Sequence, residues 1–153
     1  MSRNGQPYLI AATLLILALA GGVVADAGSW NDAAWHNDAA GYRNAMVEAQ
    51  ESGKPVLVYF YAVWCGYCRQ LNNELLSSPA VLDEMGDMVV IRVNAELGPE
   101  ERSLAMSYGV RGYPALFVRS AGDVQALRRT VADGGRPRLK TPEEFAATLR
   151  AVR

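Results

Sequence analysis

The chain has few of the residues that build cross-linked or metal-bound folds. It contains two cysteines and a single histidine, His36, among 153 residues. A secreted disulfide scaffold needs more cysteines spread along the chain, and a structural zinc site needs four ligands. The composition therefore argues against both classes, and we predict that the protein holds no metal ion and no other cofactor.

The chain also lacks a strong charge of either sign, internal repeats and low-complexity segments. Its net charge is −1, from 15 basic and 16 acidic residues, which gives no reason to expect nucleic acid as a partner. Half of the residues are hydrophobic, so length and composition predict one globular domain, which we expect to be a monomer. Residues 111–153, however, contain nine basic residues and only four acidic ones. This surplus indicates either a solvated basic face or a docking face for an acidic partner.

Residues 1–27 have the layout of a secretory signal peptide. A short polar segment with Arg3 precedes an apolar run over 9–20, and Ala25 and Ala27 are small residues at the two positions that a signal peptidase reads. We predict cleavage after Ala27 and a periplasmic or other extracytoplasmic location. An uncleaved N-terminal membrane anchor is the alternative, because residues 9–25 approach the roughly 20 residues of a membrane span. No cysteine follows the run, which excludes a lipoprotein anchor.

Residues 28–38 form a predicted lead-in segment, and the domain itself is predicted over 39–153. Trp30 and Trp35 of the lead-in are expected to pack against the domain, with a short strand nearby. The strand–helix–strand order after residue 56 predicts an α/β fold with a parallel pair of strands. The predicted elements are a helix over 39–51 capped by Gly53, strands over 56–61, 88–93, 115–118 and near 127–131, helices after residue 67, from residue 79 and over 99–108, and a last helix opened by a capping box at Thr141 and Glu144.

Both cysteines lie in one short motif between a strand and a helix. The run Trp64-Cys65-Gly66-Tyr67-Cys68 follows the predicted buried strand and opens the next helix. Cys65 therefore lies at a helix N-terminus, where free backbone amides and the helix dipole favour a thiolate and lower the pKa of a cysteine. The spacing puts Cys68 one turn further along, close enough to form a disulfide. We predict that Cys65 attacks a client disulfide and that Cys68 resolves the mixed disulfide.

Two segments of the chain resemble the thioredoxin superfamily. Residues 54–68, KPVLVYFYAVWCGYC, are similar to its active-site segment, and residues 110–114, VRGYP, are similar to its segment with a cis-proline. The resemblance extends over 39–153 and is greatest to exported thioredoxin-like proteins, including the catalytic domain of the disulfide reductase DsbD. It implies a thioredoxin fold, in which a central mixed sheet carries helices on both faces.

The resemblance also implies a client-binding surface around the cysteine pair. Pro114 would be cis, with its backbone beside Cys65, and the backbone of Tyr113 would pair with an extended client peptide. The predicted client-binding residues are Trp64, Gly66, Tyr67, Tyr113 and Pro114.

Tyr59 departs from the thioredoxin pattern. Thioredoxins commonly carry a buried aspartate six residues before the first cysteine, and a phenol is a poor base at neutral pH. The proton of Cys68 must then go to water, to Glu74 or to another group. This departure leaves fast thioredoxin-like reduction in question.

The sequence thus predicts an exported thiol:disulfide oxidoreductase that reduces or exchanges disulfides of client proteins. Its partners would be clients with cysteines or disulfides, and a membrane-bound or soluble protein that recycles the Cys65/Cys68 pair. A disulfide oxidase or isomerase is one alternative, because the Gly66-Tyr67 dipeptide is found neither in thioredoxins nor in the oxidase DsbA but does occur in the isomerase DsbC. A non-catalytic thioredoxin-like binding module is another.

Overall fold

A computed structural model describes residues 34–152 of the chain. The predicted signal peptide or anchor, residues 1–27, lies outside the described residues, as does most of the lead-in with Trp30. Within residues 34–152, none of the helices has the length and apolar character that crossing a membrane requires.

The described chain alternates strands and helices. The strands are β1 (His36–Asn37), β2 (Val56–Tyr61), β3 (Val89–Asn94), β4 (Ala115–Ser120), β5 (Asp123–Leu127), β6 (Thr130–Asp133) and β7 (Arg136–Leu139). The helices are α1 (Asp38–Ser52), α2 (Gly66–Leu71), α3 (Pro79–Gly86), α4 (Pro99–Ser107) and α5 (Pro142–Val152), and a π-helical turn over Asn72–Leu76 lies between α2 and α3.

Five strands form a mixed central sheet in the order β1-β3-β2-β4-β5. β3 runs parallel to both β1 and β2, whereas β4 is antiparallel to β2 and β5. The parallel β2–β3 pair confirms the pairing expected from the strand–helix–strand order.

Side chains of the central strand β2 alternate between two hydrophobic cores. Leu57 and Tyr59 join one core with α2, α3 and α5, and Phe60 joins the other with α1 and α4. A strand that is buried on both faces reads as a continuous apolar run, which is why 56–61 is recognisable in the sequence. Helices therefore cover both faces of the sheet, as the predicted thioredoxin fold requires.

Two helix ends follow the predicted capping chemistry. Gly53 ends α1 in the left-handed conformation, with φ of 69°, and its N–H donates to the Ala49 carbonyl at 2.9 Å. At the start of α5, the Thr141 N–H donates to Glu144 Oε2 at 2.9 Å and the Glu144 N–H donates to Thr141 Oγ1 at 3.3 Å. This reciprocal pair is the predicted capping box.

The described part of the lead-in is integral to the sheet. β1 pairs with β3 in parallel, and the His36 Nε2 atom lies 2.7 Å from Glu48 Oε2 on α1. Trp35 is buried, with its ring centroid 6.3 Å from that of Tyr59. The predicted short strand and the predicted packing of Trp35 are both confirmed, and regular structure begins before residue 39.

The strand predicted near residues 127–131 has the wrong bounds. β5 ends at Leu127, and β6 begins at Thr130 in a separate two-stranded sheet with β7. The first four residues of β5 are exposed, so only Leu127 at its end is buried. Gly134 and Gly135 join β6 to β7 with φ of 54° and 81°, the conformation that a two-residue hairpin turn requires.

Candidate functional site

The end of β2 delivers the two cysteines to the first turn of α2. The Cys65 N–H donates to the Ala62 carbonyl at 3.1 Å, and this turn stops the strand. Cys65 is the N-cap of α2, and its Sγ accepts a hydrogen bond from the Cys68 N–H at 3.0 Å. The amide at the helix start therefore faces the sulfur atom on which the sequence predicts a thiolate.

Cys65 and Cys68 form a disulfide, as their spacing predicts. Their Cα atoms are 5.2 Å apart, within the usual range for such a bond. Both residues are buried, with exposed fractions of 3% and 2%, and both belong to the core below α2 and α5. Their order of action is therefore predicted from position in the helix and not from exposure.

The cis-proline segment lies beside the end of β2. Phe60 pairs with Ala115, so the register of the antiparallel β2–β4 pair places Pro114 next to Tyr61. The Tyr113–Pro114 peptide bond is cis, as the resemblance implies. The Trp64 ring packs edge-on against the Tyr113 ring, with 6.3 Å between centroids. The two segments recognised in the sequence thus meet in space.

Exposed apolar side chains surround the buried disulfide. Val63, Trp64 and Tyr67 are 72%, 65% and 70% exposed. Gly66 lies among them, and a Cβ built there would meet only the Nη2 atom of Arg69, at 3.8 Å. The fold itself thus does not require glycine at 66.

Glu96 is a site residue that was not predicted. Its Oε2 atom accepts a hydrogen bond of 2.7 Å from the Trp64 indole N–H. The parallel strands β2 and β3 end at the same sheet edge, where the Ala95 N–H donates to the Tyr61 carbonyl at 3.1 Å. The position just after the second strand of a parallel pair was a usable signal, because such ends meet where sites form.

Arg129 is a second site residue that was not predicted. Its Nη1 atom donates to the Pro114 carbonyl at 3.3 Å. Leu116 pairs with Leu127 in the β4–β5 ladder, so the register continues to place Arg129 opposite Pro114. The sequence does not indicate this neighbour, because its position depends on the register of β5 on β4.

Tyr59 lies in the same buried cluster as the cysteine pair and is a neutral phenol. Its hydroxyl is buried and has no hydrogen-bond partner among residues 34–152. Burial, followed by the nearby Tyr61, raises the pKa of Tyr59 above that of a free phenol, against weaker opposing effects of Asn72, Arg129 and Arg92. Tyr59 therefore does not accept a proton at neutral pH.

Asn72 and Glu74 lie on opposite sides of the π-helical turn. Asn72 is buried, and its Oδ1 atom has no partner within the described part of the chain. Glu74 is exposed and accepts a hydrogen bond of 3.3 Å from Gln70.

Within residues 34–152, no group of three or more His, Cys, Asp or Glu side chains is placed so that it could hold a metal ion.

The fold and the site define a thioredoxin-like thiol:disulfide oxidoreductase with a Cys65-x-x-Cys68 motif. The family described as "Thioredoxin-like domain" matches residues 42–153, and the chain belongs to this family.

Known relatives carry names from disulfide exchange. The chain is 33% identical over 91 residues to the thiol:disulfide interchange protein DsbD 1 of Pseudomonas aeruginosa, a match that covers 58% of this chain and 15% of that one. Among solved structures, the oxidised DsbD C-terminal domain of Neisseria meningitidis has a TM-score of 0.59 at 30% identity and is covered completely, by 78% of this chain. A thioredoxin from Thermus thermophilus has a TM-score of 0.58 at 32% identity, with 83% and 88% coverage.

The match to the first curated relatives covers a small part of their length. It spans 15–17% of DsbD 1 and of three protein disulfide-isomerases. The relatives therefore support the domain's fold and chemistry and not their own full activities.

Proposed function

We propose that this protein reduces or exchanges disulfides of client proteins outside the cytoplasm. The observation that carries the proposal is the Cys65–Cys68 disulfide at a strand–helix junction, beside a cis Tyr113–Pro114 bond. The N-terminal signal pattern in the sequence supports the extracytoplasmic location. The likeness to interchange proteins supports disulfide exchange. Trp64 before the first cysteine and the motif's resemblance to reductases are the reasons for proposing reduction rather than oxidation.

The first step uses the reduced pair. The Cys65 thiolate attacks one sulfur of a client disulfide, a bond forms between Cys65 and that sulfur, and the other client sulfur leaves as a thiolate and takes a proton from solvent. The Cys68 N–H, which donates to Cys65 Sγ, supports this assignment because the same amide would stabilise negative charge on that sulfur.

The second step releases the client. Cys68 loses its proton and attacks Cys65 Sγ, so that the Cys65–Cys68 disulfide forms and the second client thiolate leaves. Two electrons have then moved from the protein to the client. The proton goes to water or to Glu74, because Tyr59 stays neutral. A dithiol of a membrane-bound or soluble partner returns the pair to its reduced state.

The client would bind over the exposed apolar surface. The side chains of Trp64 and Tyr67 flank Gly66, and the backbone of Tyr113 would pair with an extended client segment. Half-buried Tyr113 and buried Pro114 form the floor on which that segment lies.

A Cys68→Ser variant tests the proposal directly. It keeps the attacking sulfur and removes the resolving one, so we expect mixed disulfides with clients to accumulate in host cells. They should appear as high-mass bands on a non-reducing gel and disappear when a reductant is added. The matched control is Cys65→Ser, in which the attacking sulfur is missing and such bands should be absent. Equal trapping by both variants, or none by either, would contradict the proposed function and favour a non-catalytic binding module.

A further inference from the structure

Two guanidinium groups lie directly against the residues that frame the redox pair. The Nη2 atom of Arg69 lies 3.8 Å from where a Cβ on Gly66 would be, beside Cys65. On the other side of the site, Arg129 donates to the carbonyl of Pro114 at 3.3 Å. Each group is therefore placed by a contact with one of the two segments that meet at the cysteines.

A third arginine lies in the loop that leads to the cis bond. Arg111 is exposed and precedes Tyr113 by two residues, after α4 has ended. Trp64 contacts Tyr113, so this loop and the cysteine motif belong to one surface. We call Arg69, Arg111 and Arg129 the arginine triad.

The charges of the triad are not neutralised within the described chain. In residues 34–152, none of the three has a carboxylate within ion-pair distance. Arg138, by contrast, is paired with both Glu144 and Asp133. The Glu96 carboxylate also lies at this sheet edge, where it accepts a hydrogen bond from the uncharged Trp64 indole and makes no ion pair with the triad.

Neither Arg69 nor Arg111 has its charge offset by a carboxylate of the described chain. Both side chains are exposed and make no ion pair with the rest of residues 34–152, and like charges at one edge repel each other. Unpaired cations around an exposed apolar surface are what a binding site for an acidic partner needs, since complementary charge speeds encounter and excludes wrong partners.

We propose that the clients of this site carry carboxylate side chains on both sides of their reactive cysteine, and that the arginine triad binds them. The proposal rests on the disulfide-exchange function proposed above and names its substrate class. It also assigns part of the basic surplus over residues 111–153, through Arg111 and Arg129, to client docking.

Matched peptide disulfides test this inference. The probe is a cysteine peptide with two glutamates on each side of the cysteine, and the comparison peptide has glutamine at the same four positions. Each is oxidised to its symmetrical disulfide, and the second-order rate of its reduction by the fully reduced protein is measured at low and high salt. The rate of each peptide with dithiothreitol corrects for its intrinsic reactivity.

We expect the glutamate peptide to react about 10-fold faster than the glutamine peptide at low salt, because steering by charge raises association rates by roughly 10 to 1,000-fold. The ratio should fall towards one at about 1 M salt, where interactions between charges more than about 3 Å apart are largely screened. Replacing Arg69, Arg111 and Arg129 with glutamine should bring the ratio to about one at low salt as well.

Two further variants keep the test decisive. An Arg69→Gln, Arg111→Gln double variant leaves the Arg129–Pro114 contact in place, and should lose most of the ratio even if the triple variant folds poorly. The control is Lys54→Gln, which removes one positive charge before the start of β2, at the end of the strand opposite Cys65, and should leave the ratio unchanged.

The outcomes separate the two proposals. If neither peptide is reduced, the disulfide-exchange function fails. If both are reduced at equal corrected rates, or if Lys54→Gln lowers the ratio as much as the double variant does, the function stands and the assignment of acidic clients is overturned.

Discussion

At the scale of single residues, Tyr59 and Asn72 are buried polar side chains without good partners. The Tyr59 hydroxyl and the Asn72 Oδ1 atom are both unpaired within the described chain, although the Asn72 amide lies close enough to lower the pKa of Tyr59 slightly. A buried hydroxyl without a hydrogen bond costs about 1–3 kcal/mol. Tyr59 carries this cost inside the buried cluster that contains the cysteine pair.

A Tyr59→Phe variant measures what this hydroxyl contributes. We expect the free energy of unfolding of the oxidised protein to stay equal or to rise by about 1 kcal/mol, because the change removes an unsatisfied polar atom and keeps the ring. Denaturant unfolding of both proteins gives the difference. The rate of client reduction should stay within about 2-fold, since a neutral phenol is not the base. A loss of stability above about 1 kcal/mol would instead reveal a hydrogen bond that this hydroxyl makes.

At the scale of elements, the start of α5 links helix formation to pH. Hydrogen bonds from Arg138 and from the Thr141 N–H lower the pKa of Glu144 to about 2. A carboxyl whose pKa is lowered by folding contributes stability above its unfolded pKa, and loses it as the pH falls through the folded value. The contribution of Glu144 is therefore present at neutral pH and fades between about pH 4.3 and pH 2.

A Glu144→Gln variant should show this fading. At pH 6 its Tm should lie below that of the wild-type protein, and the gap should narrow as the pH is lowered to 2.5, because the wild-type carboxyl is then partly protonated. Calorimetry or circular dichroism at several pH values supplies the comparison. Glu143→Gln is the matched control, since Glu143 makes no ion pair within residues 34–152. Curves that coincide for the two variants over the whole range would contradict the assignment.

Elements with a strong local signal were predictable, and those without one were not. The buried β2 run, the Gly53 cap and the Thr141–Glu144 capping box follow from residue type and spacing alone, and the structure contains all three. β5 is an exposed edge strand with a single buried residue, Leu127, so its bounds depend on pairing with β4 and not on a buried face.

The parts of the site that lie in short local motifs were predictable, and the parts that depend on strand register were not. The cysteine motif and the cis-proline segment are local patterns, and they meet as expected. Glu96 and Arg129 reach the site only through strand register, with β3 beside β2 and β5 beside β4. Register across a sheet depends on contacts between distant residues, which residue spacing along the chain does not encode.

At the scale of the whole molecule, the redox pair and the core are one structure. Cys65 and Cys68 belong to the same buried cluster as Phe145 and Leu149 of α5. Any preference of the fold for the disulfide or for the dithiol must therefore appear both as a reduction potential and as a difference in stability.

The relative stability of the two redox forms tests the direction of electron flow. If the protein is a reductant, its fold favours the disulfide, and we expect the oxidised form to be more stable by at least about 1.4 kcal/mol, which corresponds to about 30 mV. Denaturant unfolding with and without a reductant measures the difference. A Cys65→Ser, Cys68→Ser double variant should unfold identically under both conditions. A more stable reduced form would contradict the proposed direction and favour an oxidase.

The parallel pairing of β1 with β3 has a consequence for how the protein could be held in place. The chain enters the sheet from Ala34, which lies in a groove with Lys54 and Gly86, at the pole where β2 begins. Cys65 follows the other end of β2, across the full length of the sheet. A tether attached at Ala34 itself, whether it leads to a lipid bilayer, a fusion partner or a solid support, would thus hold the back of the molecule and present the disulfide outward.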